Sequence, residues 1–169
     1  MSFALPGAPV VISAAILFTL VLPALWYSTC LDTSNYTGTI SLKPSVFIEL
    51  VVDIITSLYR SGFRKLVIAN VHGGAKTPLD TAVREFHARM GTRDKAYSDD
   101  FFIHLHNVYA PVAAYLNTLA EGKDWGHACE METSIMLHLC PERVKIERAV
   151  RDGPTYTDPY RQADMQYAR

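Results

Sequence analysis

Between Ser45 and Gly91 the chain changes its hydrophobic period twice, from helical to strand and back, and few architectures accept that order. Val46, Phe47, Leu50, Val51, Ile54, Ile55 and Leu58 follow the helical repeat, and Gly62 supplies a stop. KLVIAN, Lys65 to Asn70, is a short aliphatic and β-branched run of the kind a buried strand uses. A glycine turn follows, and then Thr77, Pro78 and Asp80 suit a cap, a first position and a first turn of a helix. Leu79, Ala82, Val83, Phe86 and Met90 mark that helix's inner face, which Gly91 closes. The same alternation predicts a strand over Phe101 to Leu105, a helix over Pro111 to Leu119, and a last helix carrying Met131, Ile135, Met136 and Leu139 that stops before Pro141. The expected fold is α/β, a parallel-sheet sandwich with helices on both faces.

A chain of 169 residues, 49% apolar, suffices for one sizeable core, so a single domain over residues 1–169 is expected, with 152–169 a loose tail or a segment packed on a neighbour. The formal charge of -1, from 16 basic and 17 acidic residues without long runs, offers no footprint for nucleic acid or an anionic membrane. Cys30, Cys129 and Cys140 show no CxxC spacing, which fits a reducing, cytoplasmic compartment. The uncharged stretch Val10 to Trp26 lacks basic flanks, contains Pro23 and falls short of the roughly 20 residues a bilayer needs. It is expected to be a buried helix plus strand rather than a membrane span or a signal peptide.

Two segments carry chemistry. In an open α/β sheet, ligands collect beyond the carboxyl ends of the strands, where His72 of NVHGG is expected to stand and where Gly73 and Gly74 let the backbone come close. No GxGxxG or GxxxxGK[ST] pattern makes this a phosphate loop. On its own, His72 also fits a loop histidine hydrogen-bonded to a carbonyl. The second segment, WGHACEMETS from Trp125 to Ser134, brings His127, Glu130 and Glu132 together at the start of the last helix. Imidazole and carboxylate are the ligand types for borderline divalent metals, and acids at a helix start also complement its dipole. Tyr97, Tyr109, Tyr115 and Trp125 are expected in the core or pocket wall, and Cys129 as a small buried filler.

Together with VLPALW (Val21 to Trp26) and GTISL (Gly38 to Leu42), these segments resemble the creatininase, or creatinine amidohydrolase, family from about Val21 to Val150. The family's NGHGG loop corresponds to NVHGG here, and its GHAGExETS motif to GHACEMETS. The resemblance implies that His72 and Glu130 are metal ligands, that His127 is a catalytic histidine, and that Glu132 lies in the same pocket in a supporting role. It also implies two divalent ions (Zn, Mn or Fe), hydrolysis of a C–N amide bond in a small and often cyclic substrate, and a homo-oligomer, commonly a hexamer.

One family segment, of the type ExHGxHLPxxTD, has no counterpart here: nothing before Val21 is an acid or a histidine. Asp32, His104 and His106 are the candidate substitutes, each with an ordinary turn or strand explanation. Three readings follow: a truncated form of a longer hydrolase, a short paralogue that kept the fold without the reaction, or an assembly or binding subunit for a full-length partner.

Overall fold

A computed structural model describes residues 19–34, 36–93, 101–122 and 128–149. The expected tail and the positions of Tyr97, Trp125 and His127 lie outside the described residues.

Helix α1 spans Pro44–Arg60, and Gly62 terminates it as the period implied. Gly62 sits at φ +92°, with its N–H donating to Tyr59 O (3.0 Å) and the Phe63 N–H donating to Leu58 O (3.1 Å). This paired closure needs a left-handed residue, which glycine adopts without a Cβ penalty. Strand β1 is Lys65–Asn70, the expected run, and β2 is Phe102–Asn107, one residue later at its start than the apolar pattern suggested. The two strands pair in parallel, Lys65 opposite Phe102 through Asn70 opposite Asn107. The ladder continues past both ends, with Phe102 N–H donating to Arg64 O (2.8 Å) and Val108 N–H donating to Asn70 O (3.0 Å).

Helix α2 runs over Lys76–Arg93 and differs from expectation at both ends. A 3₁₀ turn at Gly73–Ala75 already winds the chain, so the helix begins before Thr77, and Pro78 falls in the first turn, where its missing N–H costs nothing. Gly91 lies inside the helix, since a lone glycine weakens but does not break one. Helix α3 is Ala113–Leu119, preceded by a 3₁₀ turn at Ala110–Val112, and α4 is Glu130–Leu139, ending before Pro141 as expected.

The core lies between α1, α2 and the inner face of the sheet. Phe47, Val51, Val52 and Ile55 from α1 meet Leu79, Ala82 and Phe86 from α2, with Phe101 at the entry to β2. Leu66, Ile68, Ile103 and Leu105 pack against this cluster. Alternate residues point the other way, and there Val67 and Phe102 are exposed. Three further expectations are corrected. Leu20, Val21, Leu22, Leu25 and Trp26, the described part of the apolar amino-terminal stretch, are exposed and in neither helix nor strand. None of α4's residues is buried, so Ile135, Met136 and Leu139 stand half-open because no described element covers them. Tyr115 is exposed rather than in a core or wall.

At the solvent edge of the helix pair, Arg89 of α2 donates to Glu49 of α1 (2.8 Å) and to Glu85 one turn back (2.8 Å). The Arg89 hydrogen bond holds the Glu49 carboxyl below its ordinary value of 4.5, with burial opposing and the Arg89 charge adding. A lowered native pKa means the tie is complete above pH 4.5 and is lost as pH falls through the depressed native value. Glu49→Gln is therefore expected to remove one acid-side step from an NMR titration of the Arg89 Nη–H resonances, the groups that donate to Glu49, an effect weakened by salt.

Candidate active site

The site grows from the end of β1. Asn70 is buried there, 7% exposed, because its amide has partners on both sides. Its Nδ2 donates to Asn107 Oδ1 (2.8 Å) at the end of β2, and its Oδ1 accepts from the His72 backbone N–H (3.1 Å). The pair thus ties the two strand ends together and aims the loop that carries His72. His72 keeps extended backbone angles, φ -120° and ψ 118°, and its carbonyl accepts from Ala75 N–H (3.1 Å) as the 3₁₀ turn starts. Its ring folds back over Gly74: a Cβ there would lie 2.9 Å from His72 Cε1 and 3.3 Å from the Thr29 carbonyl oxygen. That glycine is required for close approach rather than for an unusual φ.

Glu130 and Glu132 open α4, Glu130 as its first residue. The Glu130 carboxylate accepts from the backbone N–H groups of Glu121 (3.0 Å) and Gly122 (2.8 Å), and these bonds lower its pKa, the Glu121 bond most. Glu132 reaches back to accept from the Ala128 N–H (2.6 Å), while Thr133 Oγ1 donates to the Ala128 carbonyl (3.2 Å). Ala128 holds φ +50°, a left-handed conformation unusual for a residue with a side chain. Tyr109 lies just beyond β2, within range of the charges at this helix start. Partial burial raises its pKa most, and the nearby charges of Glu132 and Cys129 raise it further. Cys129, at the cap of α4, is half-buried rather than the buried filler expected of it.

The structure thus engages Glu130 with the Glu121–Gly122 backbone and Glu132 with the Ala128 N–H. His127 lies among the residues that are not described. Among the described residues no group of three or more His, Cys, Asp or Glu side chains is placed to hold a metal ion. The donor types at His72 and Glu130 suit a borderline divalent ion, but a stable site takes at least three protein ligands, so these two alone do not make one. Sequence reading missed the Asn70–Asn107 clamp. Its signal was an asparagine ending each aliphatic strand run, Asn70 after Ala69 and Asn107 after His106.

The creatinine amidohydrolase model of the creatininase family matches residues 7–168, nearly the whole chain. The chain belongs to the creatininase family. A 3-dehydro-scyllo-inosose hydrolase of Thermotoga maritima is 31% identical over 121 residues, which is 69% of this creatininase-family chain and 36% of that relative. A solved creatinine amidohydrolase superposes with a TM-score of 0.71 at 28% identity, covering 87% of this chain and 60% of its own. A manganese creatininase (27%, TM-score 0.71) and a zinc-zinc creatininase variant (27%, TM-score 0.72) cover the same shares. The creatininase-family chain described here thus spans about a third of the hydrolase and three fifths of the solved creatininases.

Proposed function

We propose that this chain carries the site of a creatininase-type amidohydrolase, which hydrolyses a C–N amide bond, cyclic amides included, in a small-molecule substrate. The observation that carries the reading is the Asn70–Asn107 amide pair, which ties the carboxyl ends of β1 and β2 together and aims the loop that carries His72. His72 and Glu130 are assigned to a divalent metal, zinc, manganese or iron. Such an ion, when bound, supplies a water acidic enough to act near neutral pH. His127 is assigned to carry a proton to the departing nitrogen. Glu132 is a positioning residue: by gripping the N–H of Ala128 it steadies the backbone next to His127. The proposal includes a homo-oligomer and a cytoplasmic setting, the latter supported by Cys30, Cys129 and Cys140 forming no disulfide. Among the described residues no helix is long and apolar enough to cross a membrane.

Elemental analysis of the purified protein tests the assignment. Zinc, manganese or iron is expected to co-purify. His72→Ala and Glu130→Ala are expected to weaken retention by more than the roughly 10–100-fold that loss of an outer-shell partner costs. A drop on Glu132→Ala alone would move the carboxylate ligand to Glu132. A metal-free protein, inert toward amides with metal added, would defeat the proposal.

Exposed apolar side chains favour a second reading, an assembly or binding subunit. Leu20, Leu25, Trp26 and Tyr27 are all at least half exposed, and Val67 and Phe102 open the outer sheet face. That reading expects stable association with a longer relative and no hydrolysis.

A further inference from the structure

Thr29 is buried, 6% exposed, in a stretch that belongs to no helix or strand. Its backbone is fixed from both sides. Ser28 and Ser41 meet as an isolated parallel bridge, with the Leu42 N–H donating to the Ser28 carbonyl (2.9 Å). The Cys30 N–H donates to Ser41 Oγ (2.8 Å), and that hydroxyl donates in turn to the Leu42 carbonyl (3.3 Å). The end of the GTISL run therefore holds the chain immediately before and immediately after Thr29.

The Cys30 N–H and the Thr29 carbonyl belong to one peptide unit, which is planar and trans, so its N–H and C=O point in opposite directions. Pinning the N–H on Ser41 therefore aims the carbonyl the other way. What it meets there is the loop after β1. A Cβ built on Gly74 would lie 3.3 Å from the Thr29 carbonyl oxygen, 2.9 Å from His72 Cε1 and 3.4 Å from His72 Nε2. The carbonyl and the imidazole thus border the same small space over Gly74, and a side chain confined to one rotamer loses less entropy when it takes a ligand.

We propose that Ser41 is a positioning residue for His72: by accepting the Cys30 N–H it sets the Thr29 carbonyl against Gly74, and that carbonyl limits the rotation of the His72 imidazole. The effect on metal binding rests on the assignment of His72 to a metal, whereas the placing of the ring does not.

The test is NMR of the full 169-residue chain with isotope-labelled histidine, followed by calorimetric titration with ZnCl₂. In the parent, a nuclear Overhauser cross-peak is expected between His72 Hε1 and the Gly74 α-proton that points where the Cβ would stand. Ser41→Ala takes the acceptor from the Cys30 N–H and is expected to abolish that cross-peak and shift the His72 Hε1 resonance. Ser41→Thr keeps the hydroxyl and is expected to restore both. Ser57→Ala removes an exposed hydroxyl that donates to the Asp53 carbonyl (2.8 Å) and is expected to change neither. Ser41→Cys, whose thiol is a weak acceptor, takes the place of Ser41→Ala should alanine unfold the chain. Zinc is expected to bind Ser41→Ala about tenfold more weakly than the parent, the low end of the loss for an outer-shell partner. A parent that binds no zinc, yet loses the cross-peak on Ser41→Ala, would keep the role of Ser41 and defeat the amidohydrolase assignment instead. The proposal would be overturned by a parent without the cross-peak, by an unchanged cross-peak or equal zinc affinity in Ser41→Ala, or by the same changes in Ser57→Ala.

Discussion

Phe86→Ala is expected to destabilise the folded chain by about 3–5 kcal/mol, the range for removing a buried aromatic ring from a close-packed core. Phe86 is 0% exposed and joins three elements. Its ring meets Tyr59 of α1 at 6.1 Å, edge-on at 67°, and Phe101 at the head of β2 at 5.5 Å and 70°. Tyr59 and Phe101 close the triangle at 5.2 Å. Edge-to-face pairs add stabilisation beyond the buried area, so the loss combines transfer, cavity and ring-pair terms. The cavity would open where α1, α2 and the sheet converge, and no single neighbour can collapse into it. Urea unfolding followed by circular dichroism is the measurement. Val67→Ala, at a position 64% exposed, is the companion control and is expected within about 0.5 kcal/mol of the parent. Equal midpoints for the two variants would show that the ring triangle does not hold the core.

Asn70→Ala is expected to cost about 1–3 kcal/mol and to release the loop bearing His72. The change strips the partner from Asn107 Oδ1 and the acceptor from the His72 N–H at a nearly buried position, and buried groups deprived of partners carry the desolvation penalty in full. Asn70→Asp is expected to be milder. It keeps an oxygen for the His72 N–H, and the Asn107 amide can turn its NH₂ toward the new carboxylate, since the two ends of an amide exchange by a simple flip. Thermal unfolding gives the energetic ranking, and the His72 amide resonance reports the loop. If alanine and aspartate proved equally harmful, the amide pair would not be what holds the loop.

Much of this arrangement was legible in the sequence where a period or a turn residue had a single solution. KLVIAN marked β1 to the residue, Gly62 marked the end of α1, and Pro141 the end of α4. The start of α2 was misplaced because a 3₁₀ turn leaves no apolar period of its own, and Gly91 misled because glycine's cost in a helix is small beside the packing of Phe86 and Met90. The apolar stretch before Trp26 was unreadable for another reason: periodicity reports that side chains want cover, not what covers them. At the site, the donor types were plain at His72, Glu130 and Glu132, but their partners were not. That Glu130 would be taken up by two backbone N–H groups, and Glu132 by the amide of Ala128, depends on loop geometry that residue spacing does not encode.

The left-handed twist at Ala128 has a consequence for the motif around it. A methyl-bearing residue held at that angle stores on the order of 1–2 kcal/mol, and the acceptor that restrains its amide belongs to a helix one turn away. The segment entering α4 therefore behaves as a catch under tension, latched by one carboxylate. Neutralising that carboxylate would unlatch the Ala128 amide and let the turn into α4 relax.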